Sequence, residues 1–222
     1  MINNIYFPLY SWNKIVGNLN RLFTELPKKI EKLDLRCEIA SQRKDKEKFS
    51  LLLPELKVLK LPNEFLALKP FYVITSPKLE FLDGSRMNPS SLHFFFSKCI
   101  DTVSTLKRII LPKANDSSLL SKILSFGNRL EFLRSLTVSI QRGEELDQIF
   151  WRFPILEDVS ISPGISAGTI SLPISHFQIE VPIIYFSIED CELFRSVERF
   201  HCCFPRLKKL RLVNCNLLCS GM

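Results

Sequence analysis

Glycine is scarce, with seven in 222 residues. None lies in a phosphate-cradling turn, which excludes a P-loop or a dinucleotide-binding fold. No Cys-x-x-Cys spacing occurs among the seven cysteines (Cys37, Cys99, Cys191, Cys202, Cys203, Cys215 and Cys219). Zinc-ribbon and thioredoxin-type chemistry are excluded with it. The three histidines, His93, His176 and His201, stand apart from any paired ligand, and no serine sits in a nucleophile turn. His201-Cys202-Cys203 adjoins the apolar Phe204 and reads as packing. The sequence therefore predicts no catalytic residue, no cofactor, no metal and no enzyme.

Long apolar runs are missing too. None approaches the roughly eighteen residues of a membrane helix. The opening MINNIYFPLYSWNK has neither a basic stretch nor a continuous apolar one, so no secretory leader and no membrane are expected. An odd number of cysteines without a leader predicts reduced thiols and a cytoplasmic or nuclear location.

What is present describes a folded chain. Hydrophobic residues make up 46% and charged residues 24%, and mean hydropathy is +0.10. The net charge of +7 is dispersed. The one dense run, Arg43-Lys44-Asp45-Lys46-Glu47-Lys48, alternates with acids and reads as a solvated loop. Binding to nucleic acid is not expected from it.

Internal periodicity decides the fold. Leu207-x-x-Leu210-x-Leu212-x-x-Cys215-x-Leu217 repeats Ile183-x-x-Phe186-x-Ile188-x-x-Cys191-x-Leu193 position by position, 24 residues apart. Six further copies of the apolar core begin at Leu156, Leu133, Leu106, Leu79, Leu56 and Ile30. The eight starts are 23 to 27 residues apart, inside the range of about 20–29 for leucine-rich repeats. A proline precedes most copies: Pro27, Pro54, Pro77, Pro154, Pro182 and Pro205.

The predicted class is α/β: a leucine-rich repeat solenoid of about eight irregular repeats. A curved parallel sheet lines its concave side, with helices and irregular segments on the convex side. One repeat cannot bury its own leucines, whereas a stack can. Leu92/Phe95/Phe96/Cys99, Leu146/Ile149/Phe150/Phe153, residues 118–124 and Leu193/Phe194/Val197/Phe200 have helical spacing. The proline-rich returns 62–78 and 162–182 are expected to be irregular or extended. Gly84 replaces a core leucine, which makes the third repeat the weakest. Only Cys191 and Cys215 fill the ladder position whose side chain satisfies loop backbone. Residues 1–29 carry the helical stripe Trp12/Ile15/Val16/Leu19/Leu22/Phe23 and are expected to form a helical cap. The array, residues 30–222, ends on a strand without a return segment and is expected to be incomplete at its C-terminus.

Strand residues that do not point into the core line the concave face. The candidate partner-binding residues there are Lys32, Asp34, Lys60, Phe81, Asp83, Arg108, Ile110, Asp158, Tyr185, Lys209 and Arg211. A phosphate-tracking groove would show one sign of charge. This face mixes signs around apolar and aromatic islands, as surfaces that bind proteins do.

The segments FPRLKKLRLVNCNL (204–217) and IIYFSIEDCEL (183–193), with cysteine at the ladder position, resemble the repeats of F-box/LRR proteins. That resemblance implies a substrate-recruiting array and, as a partner, the adaptor of a cullin-type ubiquitin ligase. An F-box itself is not evident, since Leu26-Pro27 runs straight into the first repeat. Similar FP-led repeats occur in plant nucleotide-binding immune receptors. They imply the alternative, a scaffold or sensor array.

Overall fold

The computed structural model describes residues 4–6, 29–35, 49–61, 71–113, 118–165, 167, 170–172, 181–194 and 203–218. The chain divides into two compact units, Met1–Pro112 and Lys113–Met222.

Among the described residues the first unit contains seven strands: β1 (Asn4–Tyr6), β2 (Lys32–Asp34), β3 (Phe49–Leu52), β4 (Val58–Lys60), β5 (Phe71–Thr75), β6 (Phe81–Asp83) and β7 (Arg108–Ile110). They form a parallel sheet in the order β1-β2-β4-β6-β7 and a separate β3-β5 pair, also parallel. Two helices, α1 (Pro89–Lys98) and α2 (Ile100–Val103), precede β7. In the second unit α3 (Ser118–Ser125) leads to β8 (Ser135–Ile140), and α4 (Glu145–Arg152) to β9 (Asp158–Pro163). There follow β10 (Ile170–Leu172), β11 (Tyr185–Glu189), β12 (Cys191–Phe194), β13 (Lys209–Val213) and β14 (Asn216–Leu218). Here β8-β9-β11-β13 and β10-β12-β14 are the two parallel sets.

All eight predicted core motifs carry a strand. A four-residue turn leads into most of them. The N–H groups of Leu56, Leu79, Leu156 and Leu207 donate to the carbonyls of Leu53, Ser76, Phe153 and Phe204 at 3.1, 3.3, 3.2 and 3.0 Å. Pro54, Pro77, Pro154 and Pro205 take the second place of those turns. There proline's fixed φ is already correct and its missing N–H costs nothing. Next, one carbonyl ties each repeat to its successor. Glu31 O accepts from Lys57 N and Val58 N at 2.8 and 3.0 Å. Lys57 O, Glu80 O, Arg134 O, Glu157 O and Ile184 O do the same for the strands that follow them.

Alternate strand residues then point into the core. Leu33, Leu59, Leu82, Ile109, Leu136, Val159 and Phe186 are fully buried. In the second unit Phe150, Phe186 and Phe204 meet edge to face, with ring centroids 5.3 to 6.2 Å apart. These three rings are core residues, packed in the geometry that aromatic quadrupoles favour.

The helical stripes are α1, α3 and α4. Asn88 caps α1, its Oδ1 accepting from Ser91 N at 2.7 Å, and Pro89 stands at the first helical position. The proline-rich returns hold the short strands β5 and β10, as extended segments should.

Three expectations need revision. Leu193 and Phe194 belong to strand β12, not to a helix. The stretch begins at Cys191 and pairs in parallel with β10 and β14, and that pairing satisfies its backbone. Second, the 1–29 segment contains the parallel strand β1, which the helical-cap reading did not include; its stripe Trp12–Phe23 lies outside the described residues. Third, the third repeat is regular despite Gly84. A Cβ there would stand 3.2 Å from Leu92 Cδ1 and 3.3 Å from Met87 Sδ, so those two side chains already fill the space.

Candidate functional site

In-register parallel pairing turns the outward strand residues into rows. In the first unit one row is Lys32, Val58, Phe81, Arg108 and the next is Asp34, Lys60, Asp83, Ile110. In the second unit the rows are Ser135, Asp158, Tyr185, Lys209 and Thr137, Ser160, Ser187, Arg211. The structure thus brings Lys32, Asp34, Lys60, Phe81, Asp83, Arg108 and Ile110 together in one unit. Asp158, Tyr185, Lys209 and Arg211 come together in the other.

Neighbours within the rows are chemically matched. The Arg108 guanidinium lies 5.0 Å from the centroid of the Phe81 ring, and the Lys209 ammonium 5.4 Å from that of Tyr185. Each such pair contributes about 0.5–1 kcal/mol at an exposed position. Lys60 pairs with Asp34 at 3.6 Å and Arg211 with Glu189 at 3.5 Å. Lys32, Arg108, Asp158, Lys209 and Arg211 are exposed, whereas Asp34, Lys60, Phe81, Ile110 and Tyr185 are half-buried. The result is two aromatic–cation platforms, each beside an acid–base pair.

Asp83 has a different place from the one its position in the sequence suggests. It is 5% exposed, and its Oδ1 accepts from Ser85 N at 3.1 Å and Ser85 Oγ at 2.6 Å. An Asp followed by Gly84-Ser85 closes its own turn, and that local bond draws the carboxylate inward.

The hydroxyl group of residues in the second unit was not singled out from the sequence. Thr137, Ser160 and Ser187 are adjacent across β8, β9 and β11, with Ser139 and Ser162 one step further. Alternation of Ser/Thr with apolar residues was the available signal. A second feature with no sequence signal is an open hollow of about 470 Å³ beside Leu124, Asp147, Gln148, Trp151 and Arg152. Trp151 is 74% exposed there.

The ladder cysteines take the role assigned to them. Cys191 Sγ donates to Glu189 O at 3.1 Å, and Cys215 Sγ reaches Ile188 O and Val213 O at 3.4 Å each. Asp190 and Asn214 immediately precede them at φ 54° and 52°, a left-handed turn that Asp and Asn tolerate. Burial, with the nearby Cys215 and Asp190, pushes the Cys191 thiol up to about 12. Burial raises Cys99 to about 11 against the opposing hydrogen bond from Ile74 N. Neither thiol is a nucleophile at neutral pH. Of His201-Cys202-Cys203 only Cys203 is among the described residues, where it is half-buried. Among the described residues no group of three or more His, Cys, Asp or Glu could hold a metal ion. Among them, too, no helix is long and apolar enough to cross a membrane.

No protein-family model matches the chain, and no curated protein matches its sequence. Its fold is similar to that of TLR13, a leucine-rich repeat protein, in the crystal structure of a TLR13–ssRNA13 complex, with a TM-score of 0.58 at 17% identity. The match covers 90% of this chain and 31% of that one, so the chain spans about a third of its neighbour. At that identity the likeness is one of fold: a leucine-rich repeat-like parallel sheet with helices in its returns.

Proposed function

We propose that the chain is a non-enzymatic recognition module that binds a protein through the outward face of its strands. The observation that carries this reading is the pair of aromatic–cation platforms, Arg108 on Phe81 and Lys209 on Tyr185. Aromatic and arginine side chains with little remaining freedom are the usual anchors of protein interfaces. The acids interleaved with the cations favour a protein over RNA, the ligand of the TLR13 complex, because a phosphate backbone selects one sign. In the finer form of the proposal the repeats stack as a solenoid of about eight and recruit the substrate of an F-box-like ubiquitin ligase. The resemblance of residues 183–193 and 204–217 to F-box/LRR repeats supports it. Reduced thiols at Cys99, Cys191 and Cys215 suit a cytoplasmic or nuclear setting.

The test is a tagged pull-down, with Phe81→Ala/Arg108→Ala and Tyr185→Ala/Lys209→Ala variants in parallel. Recovery of a ligase adaptor and a cullin is expected. Each double variant should retain its circular dichroism and weaken substrate capture roughly fivefold or more. Recovery of one stoichiometric partner without adaptor or cullin would replace the ligase reading with a scaffold or sensor array. Capture unaffected by both variants would remove the outward face from the interface.

A further inference from the structure

Helix α4 buries one face and leaves the other bare. Glu145, Leu146, Ile149 and Phe150 are buried. Glu144, Asp147, Gln148 and Trp151, spaced i, i+3, i+4 and i+7, form the opposite stripe. Asp147 is half-buried and the other three are exposed. Trp151, at 74%, is the most exposed large hydrophobic residue among those described. With Leu124 of α3 it walls the hollow of about 470 Å³, which has room for a long side chain. Asp147 and Gln148 supply its polar rim.

Other accessible rings of the chain are already covered. Phe81, Phe126 and Tyr185 carry Arg108, Arg129 and Lys209 at 5.0, 6.0 and 5.4 Å from their centroids. Indole offers the strongest π face of the aromatic side chains, yet among the described residues no cation stands over Trp151. Arg152 lines the same hollow but is committed elsewhere. Its Nε donates to Leu124 O at 2.8 Å. Its stem lies across Gly127, where a Cβ would collide with Cγ, Cδ and Nε. The lack of a side chain at residue 127 thus lets Arg152 settle there, bound to a carbonyl. The charges of the α4 stripe, Glu144 and Asp147, are both negative. An electron-rich ring face, a carboxylate one helical turn away and an apolar wall complement a cation on an apolar stem. An acidic group would be repelled by both carboxylates, and a purely apolar one would gain nothing from them.

We infer that the hollow between α3 and α4 takes an arginine side chain from a basic segment of a partner protein, its guanidinium stacked on Trp151 and paired with Asp147. Arginine fits better than lysine, because its planar head stacks on a ring and meets a carboxylate through two bonds at once. The site lies on helices and not on the outward strand face, and loss of binding at that face would leave it standing.

The probe is the peptide acetyl-Leu-Arg-Leu-amide, set against its counterpart with citrulline, a neutral side chain of the same shape. Both are titrated into the full chain carrying Trp12→Phe, where Trp151 is the sole tryptophan and its emission reads binding. The arginine peptide should shift that emission saturably and bind at least about fivefold more tightly than the citrulline one. Asp147→Asn should bring the two affinities within about twofold, with circular dichroism unchanged. Should Trp12→Phe disturb the fold, the indole N–H resonance of Trp151 in the unaltered chain, assigned by its loss in Trp151→Phe, reads the same titration. No saturable response, equal affinities for the two peptides, or a preference that survives Asp147→Asn would each overturn the inference. So would self-association of the chain that Trp151→Ala abolishes, since a second copy would then be the occupant.

Discussion

Single residues in this chain act mostly by closing hydrogen bonds across the gap between repeats. Ser76 Oγ donates to Leu56 O at 2.7 Å, and Thr102 Oγ1 to Ile74 O at 2.6 Å. Thr105 Oγ1 reaches Leu79 O at 2.7 Å. A buried carbonyl left alone there would cost about 1–3 kcal/mol. The Cys215 thiol does the same work toward Ile188 O with a weaker donor, and the buried thiols fix a pH dependence. Both Cys99 and Cys191 hold their protons more tightly when folded than their ordinary value of 9. Their contribution is complete below pH 9 and is lost as pH rises from there through about 11 and 12. The melting temperature should therefore fall above pH 9, and less steeply in a Cys99→Ala/Cys191→Ala variant. At neutral pH both thiols should resist alkylation until denaturant is added. Rapid labelling of native protein, followed by peptide mapping, would contradict their placement.

Elements follow from patterns of different strength. The strands were legible because each repeats one apolar spacing eight times, and because proline marks the turn before it. The helices α1, α3 and α4 were legible as stripes at i, i+3, i+4 and i+7. Asn88→Ala removes the cap of α1 and should cost about 1 kcal/mol, read as a lower denaturation midpoint with unchanged slope. Strands β12 and β1 were not legible. Cys191–Phe194 is four residues long, and its last two residues happen to begin a helical stripe. Asn4–Tyr6 has three residues and becomes a strand by pairing with Lys32–Asp34. Pairing of that kind is a tertiary fact, which local periodicity does not carry. The candidate face was legible as a set of positions. Its chemistry was not, because Phe81 beneath Arg108 and Asp83 folded onto Ser85 depend on neighbours brought together by register and by a turn.

Within each unit neighbouring strands bury one another's apolar residues, and damage should spread accordingly. Leu136 is fully buried on β8, in register with Val159 and next to the β11 contacts. Leu136→Asp would place an unpaired carboxylate in that core, at a cost of more than about 4 kcal/mol. Amide exchange should accelerate together over β8, β9 and β11 of the second unit rather than at residue 136 alone. Exchange confined to β8 would mean that the repeats stand independently.

The unequal spacing of the motifs has a consequence for how such a chain can change over generations. Strand positions stay in register although the intervals between motifs run from 23 to 27 residues. The variation is taken up in returns that are helical in one repeat and extended in the next. Gain or loss of a residue in a return leaves every outward side chain outward. The same event inside a three-residue strand exchanges core and surface. Mutational drift by insertion and deletion is thus channelled into the returns. Duplication or loss of a whole repeat keeps the register, so such a lineage can lengthen, shorten or diversify its surface without having to invent a new fold.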